Sequence, residues 1–168
     1  MIRIDIGSLP EGHSHLDLEE DASQLDIGLE GVRLTSPVKV AFDVSRNGDQ
    51  IVLTGQARVE ASFECARCLE EYSCTLKGPM SAMIIIGEAP EGAAPDEEDV
   101  LRVPGGSKYA DITQQIRSEL LVRIPLKPLC KEDCKGLCPS CGVNLNCEQC
   151  SCHAAGGDSR WDRLKDLK

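Results

Sequence analysis

Apolar and polar residues alternate along much of the first half of the chain. Ile2, Ile4 and Ile6 are separated by polar residues, and Val38 to Val44 repeat the pattern. The clearest run is 57–65, in which Ala, Val, Ala, Phe and Cys occupy every second position with polar residues between them. A period of two is typical of strands with one buried and one solvated face, so the sequence predicts an antiparallel sheet.

Turn-forming and charged residues divide this half of the chain into elements. Asn47-Gly48 predicts a tight hairpin, because both residues tolerate a positive φ. Residues 69–76 and 80–86 predict two further strands. The segment 11–30 holds seven acidic residues and no Lys or Arg, so we expect a mostly exposed connection there. A short strand is expected within it around residues 25–29.

The second half begins with a predicted loop, followed by one helix. Residues 87–99 combine acidic residues with Gly and Pro and contain no base, which indicates a loop. A helix is predicted over 111–123, because apolar residues recur there at helical spacing and Asp111 can cap the first turn. The apolar positions that define this helix are Ile112, Ile116 and Leu120.

Together these patterns predict an α+β fold. We expect an antiparallel β-sheet or partly closed barrel with one main helix, followed by a small cysteine-rich metal-binding C-terminal module. The predicted boundaries are 1–129 for the β-rich domain, 130–155 for the cysteine-rich module, and 156–168 for a tail or short C-terminal helix.

The charge balance and the apolar runs exclude some classes of function. The chain of 168 residues carries 28 acidic and 18 basic side chains, a formal charge of −10. Non-specific attraction to a nucleic-acid backbone is therefore not expected as the main activity. The longest apolar run, Ala82 to Ile86, is too short to span a membrane, and the first residues lack the apolar stretch of a signal peptide. We expect a cytoplasmic protein without a membrane partner.

Ten cysteines are the main candidate chemistry. In a reducing compartment, closely spaced cysteines more often bind metal than form disulfides. Eight of them fall into four pairs, which suffice for two tetrahedral sites of four sulfurs. Glycine after the second cysteine of the Cys138-Pro139-Ser140-Cys141-Gly142 turn permits a tight backbone path. The predicted ligands are Cys65, Cys68, Cys130 and Cys134 in one site, and Cys138, Cys141, Cys150 and Cys152 in the other.

Several alternatives to this assignment stay open. Four pairs can be matched in three ways, and we prefer the one whose second site spans only 15 residues, because a short loop costs little entropy to close. Cys147 or His153 could replace a ligand of that second site, and Cys74 is expected to be a buried apolar residue. Two zinc ions are expected, and iron fits the same ligands. A thioredoxin-like redox pair matches the spacing but lacks the strand–helix–strand context.

The sequence lacks the catalytic motifs of several enzyme classes. None of the three histidines begins the His-x-Glu element of the zinc deaminases. The sequence also contains neither a Gly-x-Ser-x-Gly element nor a phosphate-binding glycine loop. We therefore predict a protein without catalytic activity.

Three segments resemble the YceD family of bacteria and plastids. They are FECARCLE at 63–70, IPLKPLC at 124–130, and DCKGLCPSCGVNLN at 133–146, the last followed by Cys150-Ser151-Cys152. The combination of Cys-x-Arg-Cys-Leu with Gly-Leu-Cys-Pro-x-Cys-Gly is specific, and the likeness extends over residues 20–155. The resemblance implies a factor that supports large-subunit ribosomal RNA accumulation. Cys147 departs from the usual family pattern.

Charge suggests how such a factor acts. Each four-thiolate zinc centre carries −2, so two centres would shift the formal charge from −10 to about −14. We expect the acidic segments 11–30 and 88–99 to bind a basic large-subunit ribosomal protein or a pre-ribosomal particle. One alternative is direct contact with ribosomal RNA, and another is a thiol- or zinc-based redox sensor. The candidate RNA-binding residues are Lys127, Lys131 and Lys135 near the first site, and Arg160, Arg163, Lys165 and Lys168 beside Trp161.

Overall fold

A six-stranded sheet dominates the computed structural model, which describes residues 1–25, 27–88 and 100–152. Its strands are β2 (Gly12–Glu20), β3 (Val32–Leu34), β4 (Val38–Asn47), β5 (Gln50–Glu64), β6 (Glu71–Ile86) and β7 (Val100–Val103). A second sheet pairs β1 (Arg3–Asp5) with β8 (Tyr109–Asp111). A short 3₁₀ turn covers Ala22–Gln24, and the helix α1 covers Thr113–Val122.

The large sheet is open. Its order is β2-β4-β5-β6-β7, and β3 pairs with the end of β5 beyond β4. The pairs are antiparallel except for β6 and β7, which run parallel. The fold is thus mostly sheet with one helix, and the part of the chain that is described forms no closed barrel.

The hairpin between β4 and β5 is present where the sequence predicted it, with its loop shifted by one residue. Asn47 pairs with Gln50, so the loop consists of Gly48 and Asp49, and Gly48 has a φ of 58°. Farther along β5, a Cβ atom at Gly55 would lie 1.9 Å from the carbonyl oxygen of Ala41 in β4. Only glycine lets the two backbones approach this closely.

The expectation of an exposed connection over 11–30 is wrong, because residues 12–20 form β2. This strand pairs with β4 along its whole length. Leu16 and Leu18 are half-buried while Asp17 and Glu19 point outward, so the acids occupy the wet face of an alternating strand. The expected strand at 25–29 is absent from the residues described there.

Residues 69–86 also differ from the prediction, because the two predicted strands are one continuous strand, β6. Gly78 and Pro79 lie in its middle and pair with β5. On the other side, β7 pairs only with Met83–Ile86, so β6 is a sheet edge at Pro79. A proline that lacks an N–H donor is tolerated at such an edge.

The core lies between one face of the large sheet and a layer formed by β1, β8 and α1. The residues predicted to share one face of this strand are all buried, four in β5 and one directly after it: Ala57, Val59, Ala61, Phe63 and Cys65. The residues predicted to form the inner face of the helix, Ile112, Ile116 and Leu120, are completely buried, and α1 packs on β6.

The helix begins later than predicted, at Thr113 instead of Asp111. The Asp111 carboxylate still accepts a hydrogen bond from the Thr113 N–H at 3.0 Å, but it does so from outside the helix. Ile112 occupies the cap position and is buried in the core, and its hydrocarbon side chain has no acceptor with which to cap the helix.

Beyond α1 the described chain forms turns, with an isolated antiparallel bridge between Leu137 and Asn144. The domain boundaries at 129 and 155 stay predictions. The predicted C-terminal helix lies outside the described residues, as does most of the predicted loop at 87–99. Among the described helices, none has the length and apolar character needed to cross a membrane.

Candidate metal centres

The structure gathers eight cysteines into two groups of four. Within each group the sulfur atoms all lie within 4.8 Å of one another. The first cluster consists of Cys65, Cys68, Cys130 and Cys134, and the second cluster consists of Cys138, Cys141, Cys150 and Cys152. These are the two sets that the spacing of the cysteines had suggested.

The two remaining cysteines are exposed and lie outside both clusters. The expectation that Cys74 is buried is wrong, because its side chain is exposed although its position in β6 has the same parity as the buried Leu76 and Met80. Cys147 does not take part in the second cluster, and His153 lies outside the described residues.

The sulfur–sulfur distances fit a tetrahedral metal site. A metal bound to four sulfurs at about 2.3 Å requires sulfur atoms about 3.8 Å apart. The distance is 3.8 Å between Cys65 Sγ and Cys134 Sγ, and 3.7 Å between Cys68 Sγ and Cys130 Sγ. Sulfurs in a disulfide would be separated by only about 2.05 Å. Each cluster could therefore hold one metal ion.

The first cluster lies at the end of the large sheet. Cys65 directly follows β5, Cys68 lies in the turn before β6, and the other two cysteines follow α1. The Ala66 N–H donates to the Pro128 carbonyl at 2.8 Å, which holds the turn against the segment after the helix. Cys65, Cys68 and Cys134 are at most 3% exposed. The cluster therefore joins distant parts of the chain inside a small core of its own.

The second cluster is more open and more local. Cys138 is buried, Cys150 is half-buried, and Cys141 and Cys152 are exposed. Cys138 ends the first strand of a short two-stranded ribbon formed by residues 136–138 and 143–145, and Cys141 lies in the turn between the strands. The ribbon is held by Cys138 N–H to Val143 O at 2.8 Å, Leu145 N–H to Gly136 O at 2.9 Å, and the Leu137–Asn144 bridge.

The two Cys-x-x-Cys turns have the same backbone geometry. In one, the Leu69 N–H donates to Cys65 O at 2.9 Å; in the other, the Gly142 N–H donates to Cys138 O at 2.8 Å. Both residues have a positive φ, 61° at Leu69 and 75° at Gly142. Glycine adopts a positive φ freely, whereas leucine is strained in this conformation. Leu69 is also 57% exposed, so burial does not compensate for the strain.

Backbone hydrogen bonds favour the thiolate form of the first cysteine in each turn. Burial opposes ionisation of Cys65, but N–H groups of its own turn and of Cys130 outweigh burial and lower its pKa to about 6. In Cys138, N–H groups of Cys141 and Ser140 donate to the sulfur and lower its pKa to about 6. Since metals bind thiolates, these N–H groups also suit the clusters to a cation.

Two further side chains hydrogen-bond to Cys134 of the first cluster, and the cysteine spacing did not single them out. The Arg67 guanidinium donates to the Cys134 carbonyl at 2.7 Å and to the Glu132 carbonyl at 3.3 Å. The Asn146 amide donates to Cys134 Sγ at 3.3 Å. Arg67 lies inside the Cys-x-Arg-Cys motif, which was a usable signal, whereas Asn146 has no comparable signal in the sequence.

Comparison with known proteins identifies the family. Residues 53–168 match the family described as large ribosomal RNA subunit accumulation protein YceD. The chain belongs to the YceD family. The resemblance seen in the three cysteine-containing segments is confirmed, and both clusters lie within the matched residues.

Relatives of this YceD family member occur in plants and bacteria. The chain is 29% identical to the chloroplastic large ribosomal RNA subunit accumulation protein YCED homolog 1 of Zea mays, over 89% of this chain and 60% of the relative. The homologue of the same name in Arabidopsis thaliana is 27% identical, over 90% and 57%. An uncharacterized protein of Mycobacterium tuberculosis is 28% identical, over 84% and 68%. No solved structure matches this chain. The family name implies a role in accumulation of large-subunit ribosomal RNA.

Proposed function

We propose that this protein is a non-enzymatic factor that supports assembly of the large ribosomal subunit and accumulation of its RNA. The observation that carries this proposal is the match of residues 53–168 to the YceD family, whose description names accumulation of large-subunit ribosomal RNA. The plant relatives carry the same description in their names.

We further propose that the two clusters bind zinc and act as structural sites. A catalytic zinc keeps a position open for water or substrate, whereas four thiolates close the coordination sphere. The 3.7 and 3.8 Å sulfur–sulfur distances in the first cluster support such a closed tetrahedron. Elemental analysis of the purified protein should find two equivalents of zinc per chain. Intact folding with less than half an equivalent of any transition metal would contradict this proposal.

The proposed partner is a basic ribosomal protein of the large subunit. Two zinc–thiolate centres would shift the formal charge from −10 to about −14, which would attract a basic partner over long distances. On the described surface, β2 contributes Asp17 and Glu19, whose side chains are 76% and 58% exposed. The acidic run at 96–99 adds four more carboxylates in the sequence.

Direct contact with ribosomal RNA is the second candidate. It is favoured by the exposure of Lys127, Lys131 and Lys135, which flank the ligand residues Cys130 and Cys134. Such lysines would neutralise phosphates, and binding would then weaken steeply with salt. Both mechanisms depend on salt, so salt dependence alone does not separate them.

A pull-down with and without nuclease separates the two candidates. Protein binding predicts that a basic ribosomal protein stays bound after nuclease treatment. Replacing Asp96, Glu97, Glu98 and Asp99 by Asn or Gln should then weaken its capture, because the charge attraction is reduced. Replacing Lys127, Lys131 and Lys135 by Gln is the matched control and should leave capture unchanged. RNA binding predicts the opposite result. Nuclease would then abolish all capture, and without nuclease the lysine variant, but not the acidic-run variant, would lose capture.

A further inference from the structure

Asn146 is held in one orientation by four hydrogen bonds. Its Oδ1 accepts from the Lys135 N–H at 2.9 Å, and its own backbone N–H donates to Asn144 Oδ1 at 2.9 Å. Its Nδ2 donates to Asn144 Oδ1 at 2.9 Å and to Cys134 Sγ at 3.3 Å. If the amide were flipped, two N–H donors would face each other at Lys135 and an oxygen would face the sulfur. The network therefore fixes the amide with its N–H toward Cys134.

This hydrogen bond crosses from one cluster to the other. Asn146 lies between Cys141 and Cys150 in the sequence, within the segment that the second cluster closes. Its acceptor, Cys134, belongs to the first cluster. The ribbon of residues 136–138 and 143–145 lies between them, with Cys138 at its turn and with Cys134 and Asn146 beyond its open end.

The base of the ribbon is also fixed to the first cluster by backbone contacts. The Leu137 N–H donates to the Arg67 carbonyl at 3.2 Å, and Arg67 reaches back to the Cys134 carbonyl at 2.7 Å. A Cβ at Gly136 would lie 3.0 Å from the Arg67 carbonyl oxygen, and Gly136 has a φ of 75°. The ribbon thus contacts the first cluster closely at a defined register.

We infer that Asn146 is a positioning residue through which metal bound at the second cluster strengthens metal binding at the first. The inference rests on the proposed occupation of both clusters by metal. Metal at the second cluster fixes the turn of the ribbon, and the ribbon holds Asn146 against Cys134. An N–H donor stabilises a metal-bound thiolate because it spreads the excess negative charge of a four-sulfur site.

The expected effect follows from the behaviour of other groups that hydrogen-bond to metal ligands. Loss of such a group lowers metal affinity by about 10- to 100-fold. Asn146→Asp keeps the shape and the acceptor for Lys135 but places an anionic oxygen beside the Cys134 sulfur. Asn146→Ala removes the donor without adding charge, so it should have the smaller effect of the two.

The test measures metal affinity and spectrum in two backgrounds. Zinc affinity is measured by competition with a chromophoric chelator in the full chain and in a Cys141→Ser, Cys152→Ser background, which disables the second cluster. The metal that still binds in that background identifies the first cluster. Cobalt is substituted for zinc to record the thiolate-to-metal charge-transfer bands. Ser140→Ala, in the turn at the far end of the ribbon, is the matched control.

The inference predicts a 10- to 100-fold loss of first-cluster affinity for Asn146→Asp in the full chain. The loss should shrink to less than about 3-fold in the background without the second cluster, because the ribbon no longer holds residue 146 in place. The cobalt band of the first cluster should move to longer wavelength in both Asn146 variants. Ser140→Ala should change neither affinity nor spectrum. A merely structural role would not shift the band of a folded protein.

The remaining outcomes are distinguishable. Unchanged affinity and spectrum in a folded Asn146→Asp protein that binds two cobalt ions would overturn this inference and leave the proposed metal sites intact. An equal loss in both backgrounds would overturn the coupling between clusters. Absence of any cobalt binding by the unaltered chain would overturn the metal proposal and this inference with it. If Asn146→Asp unfolds, the metal affinity and cobalt spectrum of Asn146→Ala test the inference in its place.

Discussion

The first and second clusters have the same four-cysteine composition and two similar turns, but they occupy opposite kinds of environment. The first cluster connects Cys65 with Cys134, 69 residues apart, and is buried against Tyr72 and Leu129. The second lies within residues 138–152, and two of its four cysteines are exposed. The same ligand set can therefore stabilise a whole domain or only a local segment.

Burial, more than loop length, should account for the difference in how strongly the two clusters stabilise the fold. Closing a loop of about 69 residues instead of about 14 removes more unfolded-state entropy, but by only about 1.4 kcal/mol. The first cluster also fastens the end of β5 and the start of β6 to the segment after α1, whereas the second fastens a ribbon turn. We therefore expect the first metal to stabilise the global fold and the second to order the residues around it.

The largest expected effect is that of Cys65→Ser, which removes a buried ligand. By analogy with a covalent cross-link of similar span, the free energy of unfolding should fall by about 4 kcal/mol. Chemical denaturation measures the loss, and hydrogen exchange should show reduced protection across β5 and β6. Cys74→Ser, an exposed cysteine on the same sheet, is the control and should behave like the unaltered chain. A purely local loss of protection in Cys65→Ser would show that the first cluster does not hold the domain together.

Cys141→Ser tests the second cluster and should have a smaller, mainly local effect. Protection should be lost completely within 134–152 and reduced much less in the large sheet, because the second metal acts on the sheet only through the first cluster. The free energy of unfolding of the sheet should fall by about 1.4 to 2.7 kcal/mol, which corresponds to the 10- to 100-fold weaker binding at the first cluster and is less than the loss in Cys65→Ser. Cys147→Ser is the matched control, since Cys147 is exposed and lies outside the cluster. Global loss of protection equal to that of Cys65→Ser would contradict the division into a domain-wide and a local site.

Both clusters could be predicted from the sequence because short cysteine spacings are set by local turns. The same reasoning predicted the inner face of β5 and of α1, where burial directly requires a period of 2 or 3.6. It missed β2, because the acidic count of 11–30 concealed an alternation in which Leu16 and Leu18 face inward. It predicted two strands in place of β6, because Gly78 and Pro79 usually interrupt a strand. That β7 is too short to pair with Pro79, which makes this position a sheet edge, is visible only in the structure.

The side-chain hydrogen bond between the clusters could not be predicted from the sequence. The bond from Asn146 to Cys134 depends on how the ribbon packs against the Arg67 turn, and an asparagine among turn residues has many ordinary explanations. The positive φ of Leu69 was also hidden, since leucine gives no sign of a conformation that favours glycine. The bond from Asn146 depends on tertiary contacts, whereas the φ of Leu69 belongs to a local turn whose geometry matches that of the Gly142 turn.

Exchanging the residue after each Cys-x-x-Cys pair sharpens the comparison of the two turns. Gly142→Ala should lower the stability of the second cluster by about 1 kcal/mol, since the positive φ strains alanine although its Cβ would lie in open space. Leu69→Gly should change the global free energy of unfolding by less than about 1 kcal/mol. Relief of the strain is offset there by the greater freedom of glycine in the unfolded chain. Denaturation and metal competition measure both variants. A loss above about 2 kcal/mol in Leu69→Gly would mean that its exposed side chain makes a stabilising contact.

The smallest expected effect concerns the β2–β4 edge, which lies apart from both clusters and shows how the sheet itself responds to pH. The hydrogen bond from His15 to Asp43 at 3.2 Å, followed by the charge of Asp17, raises the pKa of His15 above its ordinary value of 6.5. A group whose pKa is raised by folding stabilises the protein when it is protonated. The contribution is thus complete below about pH 6.5 and disappears as the pH rises through the folded pKa of His15.

The test compares the free energy of unfolding of the unaltered chain with that of His15→Gln, measured by denaturation between about pH 5.5 and 8. The unaltered chain should be the more stable of the two at the acidic end, and the difference should vanish at the basic end. The effect should be small because the pair is exposed, and the difference should be the same in a Cys141→Ser background. A difference that grows with pH, or one that depends on the second cluster, would show that this edge is coupled to the metal sites after all.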